Sequence, residues 1–316
     1  MNPLIEKLQT EYALSWKVTV NILGGAPDSA QAAKAAQTLR SSSLVKKLLS
    51  ERNEKGKIPF HPYKKWNGAH WVLSILADLG YPAGGELAPL VEQSYEWLLG
   101  EAHRKYIREI NSRTRRCASQ EGYLVWYSLR LGLADGRTEE LVNRLTKWQW
   151  PDGGWNCDKR PEASHSSFME SLIPLRALAL YAQISGGKRI SDSADRAAEI
   201  FLKRHLFKRQ SDGQLMDKHF LRLCYPCYWH YNILFALVVM AEAGFISDPR
   251  CREALDFLES KRLPDGGFPA EETYSRTTRP ELSGYSLVDW RGTSRKKMNP
   301  FVTADALYVL RAAGRG

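Results

Sequence analysis

Apolar positions along the chain fall into long helical stretches of two kinds. In the first kind they continue around most of the helix, as expected of helices with little solvent contact. These stretches cover residues 66–80, 119–132, 166–183, 229–244 and 302–314. The second kind carries an apolar stripe on a polar helix and covers residues 87–99, 139–147, 193–206 and 249–260. The alternation predicts helical hairpins in two layers, with the first kind inside.

Two of the amphipathic stretches end at the same turn sequence. Pro-Asp-Gly-Gly stands at residues 151–154 and again at 264–267, each time followed by an aromatic residue. Pro cannot continue a helix, Asp can hydrogen-bond its own backbone, and Gly accepts a positive φ. The recurrence indicates a repeated helix-hairpin unit.

The ends of the chain extend this pattern. The N-terminal region predicts a helix over residues 12–23, a break at Gly24-Gly25 and a helix over 30–49, with a short helix over 4–11 that packs against the C-terminus. Residues 269–300 have no helical pattern, and a loop of that length is typical of a functional lid or of a disordered segment. We therefore expect these residues to cover one end of the helical assembly. No linker composition interrupts the chain, so residues 1–316 are predicted to form a single domain.

Composition narrows the class of protein. Hydrophobic residues make up 43% of the 316 residues and charged residues 25%, an ordinary soluble balance. There is no apolar run of the roughly 18 residues that a bilayer span needs, no signal-peptide pattern and no dense framework among the five cysteines, which predicts a cytoplasmic protein. The net charge of +10 comes from scattered clusters, so no nucleic-acid partner is expected. An anionic small ligand or peripheral contact with a membrane surface stays open.

The richest polar cluster follows the first Pro-Asp-Gly-Gly turn, over residues 156–167. Here His165 and Asp158 are candidates for handling protons or a metal, and His230 and Glu170 are further candidate catalytic residues. Lys159 and Arg160 are candidates for holding an anion. The alternative is a solvated loop whose serines cap the following helix.

Cysteines and a histidine in the order Cys-x-x-Cys-x-x-His suggest a zinc site. Cys224, Cys227 and His230 have this spacing, and Cys157 or a neighbouring polar residue would supply a fourth ligand. Zinc is the one cofactor that the sequence indicates. The alternative is two small buried thiols and a buried histidine with no metal role.

Aromatic residues gather at the predicted starts of the inner helices. Tyr228 and Trp229 stand there. Together with Trp155, which follows the first Pro-Asp-Gly-Gly turn, they would line a pocket suited to an apolar molecule with a polar or anionic head. The alternative is that the large side chains plug the centre of the assembly.

The segment around the first Pro-Asp-Gly-Gly turn resembles sequence motifs of two related families. Gln149, Gly153 and Trp155 match the core of the QW repeat of terpenoid cyclases, although Leu145 replaces the usual upstream aromatic. Residues 153–175 resemble the Gly-Gly-Phe…Ser-Phe…Leu-Leu-Pro-Leu segment of protein prenyltransferase β subunits. The resemblance implies an all-α fold, the (α/α)6 toroid of these families. It also implies a central pocket for an isoprenoid or another apolar, anionic molecule.

The families' reactive motifs are absent. The chain has no Asp-x-Asp-Asp of the cyclases, and Ala163-Ser164-His165 stand where prenyltransferases carry the Asp-x-Cys zinc pair. Lys159 and Arg160 fall near the family's diphosphate-binding Arg and Lys. Two other classes therefore remain: a non-catalytic binding or scaffold protein, and a carbohydrate-active toroid enzyme. The latter would need two facing carboxylates, for which Glu121, Asp158, Glu170 and Asp305 are candidates.

Overall fold

The computed structural model describes residues 2–315, so the two end residues of the predicted domain lie outside it. Helices hold 52% of the chain and strands 4%, which confirms the all-α class. The α-helices are α1 (Pro3–Gln9), α2 (Ala30–Ser41), α3 (Ser43–Leu48), α4 (Ala69–Leu79), α5 (Ala88–Leu99), α6 (Glu101–Arg104), α7 (Ala118–Arg130), α8 (Gly136–Trp148), α9 (Phe168–Ser185), α10 (Lys188–Leu202), α11 (Ile233–Glu242), α12 (Arg252–Glu259) and α13 (Pro300–Ala312).

Shorter elements join these helices. A π-helix runs over Lys17–Ile22, and short 3-10 helices cover Tyr12–Leu14, Gly85–Leu87, Lys218–Leu221 and Pro249–Cys251. Strands β1 (Arg108–Ile110) and β2 (Arg113–Arg115) form an antiparallel hairpin that the sequence pattern did not predict, with Arg108 opposite Arg115. The predicted helix over residues 12–23 is thus a 3-10 turn followed by a π-helix.

Polar side chains decide where several helices begin. Asn232 accepts a hydrogen bond from the Phe235 N–H, so α11 begins at Ile233 and not at the predicted residue 229. Ser42 caps α3 in the same way and divides the predicted helix over 30–49 into two. A glycine ends α4: Gly80, directly after its last residue, adopts φ +83°, a left-handed conformation that stops the helix.

Burial separates the helices into the two predicted kinds. Helices α4, α7, α9, α11 and α13 are buried around most of their circumference, and we call them the inner helices. Helices α5, α8, α10 and α12 bury one face each and expose the other. Among residues 2–315, no helix combines the length and hydropathy that crossing a membrane requires.

Both Pro-Asp-Gly-Gly turns close in the same way. The Trp150 N–H donates to the Gly154 carbonyl at 2.8 Å, and the Leu263 N–H donates to the Gly267 carbonyl at 2.9 Å. Gly153 adopts φ +106°, and a Cβ there would lie 2.4 Å from the Arg196 carbonyl oxygen. Glycine is therefore required by backbone conformation and by space.

Inner helices α7 and α9 lie side by side with their first turns level. The Glu170 side chain of α9 accepts a hydrogen bond from the Ser119 N–H of α7 at 3.1 Å. One turn further, a Cβ on Gly122 would lie 2.9 Å from the Pro174 nitrogen. The close approach of the two backbones therefore depends on a glycine.

Replacing Gly122 with alanine should destabilise the protein by about 1–3 kcal/mol, because the added methyl overpacks the α7–α9 contact. Gly136→Ala is the matched control, since a Cβ at Gly136 meets nothing within 4 Å. The measurement is the urea midpoint of unfolding. Equal midpoints for the two variants would contradict the proposed packing constraint.

Candidate functional site

A buried charge cluster links the π-helix to the inner helices. The Lys17 ammonium lies 2.7 Å from Asp78 Oδ2 and 2.6 Å from Asp305 Oδ1. The Arg176 guanidinium donates to Asp78 at 3.0 Å and to Glu242 at 2.5 and 2.7 Å. We call these five residues the buried charge cluster, in which Lys17 and Arg176 are buried and the three carboxylates are partly exposed. They join the π-helix, α4, α9, α11 and α13.

The cluster contains two cations and three carboxyl groups, so its charges do not balance. Burial alone would raise the pKa of Asp78, but Lys17 and Arg176 together hold that pKa well below its usual range. Burial raises the pKa of Asp305 to about 6, against the opposing effect of Lys17 and with the help of the Asp78 charge. Asp305 therefore takes up a proton at a higher pH than Asp78 does.

A small cavity of about 40 Å³ lies against this cluster. Asp78, Arg176 and Asp305 form its charged wall, and the thiols of Cys224 and Cys227 face it as well. Its aromatic lining is Tyr123, Tyr225, Tyr228 and Phe235. Since a cavity needs roughly 10–15 Å³ of this kind to hold one water molecule, there is room for only a few heavy atoms.

The aromatic lining is held in place by hydrogen bonds and ring contacts. The Tyr225 hydroxyl donates to Asp78 Oδ2 at 3.0 Å, and the Tyr123 hydroxyl donates to the Tyr228 carbonyl at 2.5 Å. Tyr228 stacks on Trp66 with ring centroids 3.8 Å apart. Burial raises the pKa of Tyr123 and Tyr225, so both hydroxyls stay protonated.

Residues 269–299 are irregular in structure and pack beside this lining. The Trp66 indole N–H donates to the Tyr274 carbonyl at 2.6 Å, and Trp290 contacts Tyr225 with ring centroids 5.4 Å apart. Val288 and Trp290 are buried. The predicted long loop therefore contributes its own apolar side chains to the core near the cavity.

The two thiols at the cavity form a close pair. Cys224 Sγ and Cys227 Sγ are 3.3 Å apart, and the Asn232 side-chain N–H group lies 3.2 and 3.4 Å from the two sulfurs. His230 faces elsewhere: its Nδ1 donates to the Cys227 carbonyl at 3.1 Å, and its ring stacks on Tyr274 with centroids 3.4 Å apart.

His230 is uncharged at neutral pH. Burial lowers its pKa to about 4. On its other face the ring stacks on Trp229 at 3.9 Å, and the Trp229 indole nitrogen is buried without a hydrogen-bond partner among the described residues.

The predicted zinc ligands do not come together as one set. Across residues 2–315, the one group of three His, Cys, Asp or Glu side chains whose ligand atoms all lie within 4.8 Å of one another is Cys117, Cys157 and Glu170. Cys157 therefore lies beside Cys117 and not beside Cys224, Cys227 and His230. The physical reason is the Pro-Asp-Gly-Gly turn, which directs residues 155–157 along the first turns of α7 and α9.

Hydrogen bonds fix that path. The Trp155 N–H donates to Ser171 Oγ at 3.0 Å, and its indole N–H donates to the Leu145 carbonyl at 3.0 Å. Asp152 accepts from the Ser166 N–H at 2.8 Å and from its hydroxyl at 2.6 Å. Trp155 is fully buried, so it serves the core and not a pocket wall.

The remaining predicted residues lie on an exposed loop. Arg160 pairs with Asp158 at 2.6 Å, and hydrogen bonds from Arg160 lower the pKa of Asp158 to about 2. Lys159 and His165 are exposed, with His165 Nδ1 3.1 Å from Ser164 Oγ. None of these four predicted residues lines the cavity. The Arg160 charge is already used by Asp158.

The carboxylates considered for a carbohydrate-active site have separate partners. Glu121 pairs with His103 at 2.8 Å, and Asp305 pairs with Lys17. Glu170 accepts from Ser119, and Asp158 from Arg160. No described contact turns two of them toward each other.

Sequence reasoning missed most of the charge cluster. Asp78, Arg176 and Lys17 stand in stretches where nearly all neighbours are apolar. A charged residue on a helix that is buried all round needs a partner of opposite charge. That signal could have identified the three residues, but not which of them pair.

Comparisons with known proteins find a similar structure but identify no function. No family model matches the chain, and no curated protein does. Among solved structures, the chain is similar to a protein from Actinoplanes, with 18% sequence identity over 96% of this chain and 89% of that one, at a TM-score of 0.44. A similarity at that level identifies neither a family nor an activity.

Asp305 should make stability depend on pH. Its pKa is raised on folding, so its contribution to stability is fully present below its ordinary pKa of 3.8 and is lost as the pH rises through about 6. From pH 4 to pH 7, the free energy of unfolding of the wild type should fall by about 2–3 kcal/mol relative to Asp305→Asn. Urea unfolding at several pH values measures this difference.

Asp28→Asn is the control for that comparison, since Asp28 is exposed. The wild type and the control should differ by a constant amount across the same pH range. A constant difference for Asp305→Asn as well would mean that Asp305 does not bind the extra proton.

Proposed function

We propose that this protein is an (α/α)6 toroid of the terpenoid cyclase and prenyltransferase type. The support is a closed series of contacts: the π-helix with α4, α4 with α7, α7 with α9, α9 with α11, α11 with α13, and α13 with the π-helix. Helices α2, α8, α10 and α12 each pack on one member of that series, and α5 packs on both α4 and α7. Helix α1 would supply the sixth outer helix, since Leu4 approaches Gly266 and α1 contacts the π-helix.

Within this architecture, we propose that the cavity beside the buried charge cluster binds a small apolar molecule with an anionic head, such as an isoprenoid diphosphate. The observation that supports this proposal is that four aromatic rings and the Arg176 guanidinium line one cavity. The rings offer apolar contact, and the guanidinium offers directed hydrogen bonds to an anion.

The cavity volume constrains the ligand. At about 40 Å³ it accepts the end of a chain and not a whole farnesyl group. Binding of a long chain therefore requires residues 269–299 to shift, because Tyr274 and Trp290 pack against Trp66 and Tyr225 beside the cavity. A five-carbon prenyl diphosphate should bind with a smaller rearrangement than a longer one.

A non-catalytic scaffold is the second candidate, and two observations favour it. The cavity is small, and the charged groups beside it are already paired with one another. Such a protein would use the toroid as a rigid body and bind partners on its outside. It predicts no saturable binding of any prenyl diphosphate.

Calorimetric titration with dimethylallyl, farnesyl and geranylgeranyl diphosphate separates the candidates. Val238→Phe fills the cavity that Val238 lines and should weaken binding at least about tenfold, or roughly 1.4 kcal/mol. Val239→Phe is the matched control: Val239 is fully buried on the same helix but does not line the cavity, so it should lower stability and leave binding by the folded fraction intact.

The exposed residues provide a further comparison. Lys159→Ala with Arg160→Ala tests the anion clamp predicted from the sequence, and should change affinity less than Val238→Phe because neither residue lines the cavity. Absence of heat with all three ligands on the wild type would reject the ligand proposal and favour the scaffold.

Binding of an anionic ligand should also depend on pH. Protonation of Asp305 near pH 6 removes the surplus negative charge of the cluster. Affinity should therefore be higher at pH 5.5 than at pH 7.5 for the wild type, and nearly equal at the two values for Asp305→Asn. Equal affinities in the wild type would contradict a role for the cluster in binding.

A further inference from the structure

Three potential metal ligands meet away from the cavity. Cys117 stands directly before α7, Cys157 follows the first Pro-Asp-Gly-Gly turn, and Glu170 lies in the first turn of α9. Their ligand atoms all lie within 4.8 Å of one another. Three separate segments of the chain thus supply two thiols and a carboxyl group to one point.

The buried carboxyl group is oriented toward the thiols. One oxygen of Glu170 accepts from the Ser119 N–H at 3.1 Å, and the other lies 3.6 Å from Cys157 Sγ. The carboxyl group and the Cys157 thiol therefore already lie within the reach of one shared cation.

The donor set selects the kind of ion. Thiolates favour zinc and similar thiophilic ions over magnesium or calcium, whose preferred ligands are oxygens. Two ligands at about 2.3 Å from one tetrahedral ion are roughly 3.8 Å apart, close to the 3.6 Å between Cys157 Sγ and the Glu170 oxygen. Three protein ligands leave one coordination position for water or a ligand, the pattern of catalytic and not of closed structural zinc sites.

We propose that Cys117, Cys157 and Glu170 bind one zinc ion or another thiophilic divalent cation, with a fourth coordination position open. This site differs from the zinc set that the residue spacing suggested, because Cys224, Cys227 and His230 are not part of it. It differs equally from the prenyltransferase zinc positions, which correspond to residues 163–165. It does not depend on the ligand proposed for the cavity.

Cobalt titration of the metal-free full chain tests the site. One Co²⁺ per chain should give a thiolate-to-cobalt charge-transfer absorption, and added Zn²⁺ should abolish it. Cys117→Ser and Cys157→Ser should each weaken the absorption strongly, and Glu170→Gln should lower zinc affinity by at least the roughly 10–100-fold lost with outer-sphere partners.

Matched thiol controls locate the ion. Cys251→Ser removes a buried thiol elsewhere, and Cys224→Ser with Cys227→Ser removes the pair at the cavity. Both should leave the cobalt spectrum unchanged. A spectrum without thiolate character, or one lost only in the Cys224/Cys227 variant, would overturn the proposal.

Alkylation of the wild type tests the site without any substitution, so misfolding of a variant cannot affect the result. Zn²⁺ should slow the reaction of iodoacetamide with Cys117 and Cys157, followed by mass spectrometry of each peptide, and should leave the rate at Cys227 unchanged. Equal rates at Cys117 and Cys157 with and without Zn²⁺ would overturn the proposal.

Discussion

The buried charge cluster is the constraint on which the rest of the structure depends. Removing charges from water costs several kcal/mol each unless each charge gains close partners. Here Lys17 satisfies two carboxylates, and Arg176 reaches a third while sharing one of them. Because the partners stand on five different helices, the pairing holds only when all five are in place. Losing Lys17 or Arg176 would leave the carboxylates beside it without a cation, at a cost of up to about 3–5 kcal/mol.

The same helices position both proposed sites. Helix α9 carries Arg176 beside the cavity and Glu170 beside the two thiols. Its first turn is held against α7 by the Glu170–Ser119 hydrogen bond, and Gly122 permits the close approach that follows. The cavity and the candidate metal site are therefore separate in chemistry but share one rigid support. Binding at either should stabilise the same packing.

The sequence predicts the inner helices well, but it does not predict the β-hairpin or the exposure of the polar loop. The inner helices were placed within a few residues because their apolar periodicity is local, and α11 began late because Asn232 capped it. The hairpin β1–β2 has no clear sequence signal, since its strands are short and rich in arginine. The exposed loop with Lys159 and His165 looked like a reactive centre because its residue types suit chemistry. Nothing local showed that these side chains face solvent.

The sequence by itself determined the inner and amphipathic helices between residues 66 and 314 and the two Pro-Asp-Gly-Gly turns, but not the form of the N-terminal helices. These depend on neighbours a few residues apart, through periodicity, proline and glycine. Only the tertiary structure decided that Lys17 meets Asp305 and that Cys117 meets Cys157. Such pairings join residues far apart in the chain. The charge pairs are selected because a buried charge needs a partner when the helices pack, and the thiols meet because the packing of α7 and α9 brings their segments together.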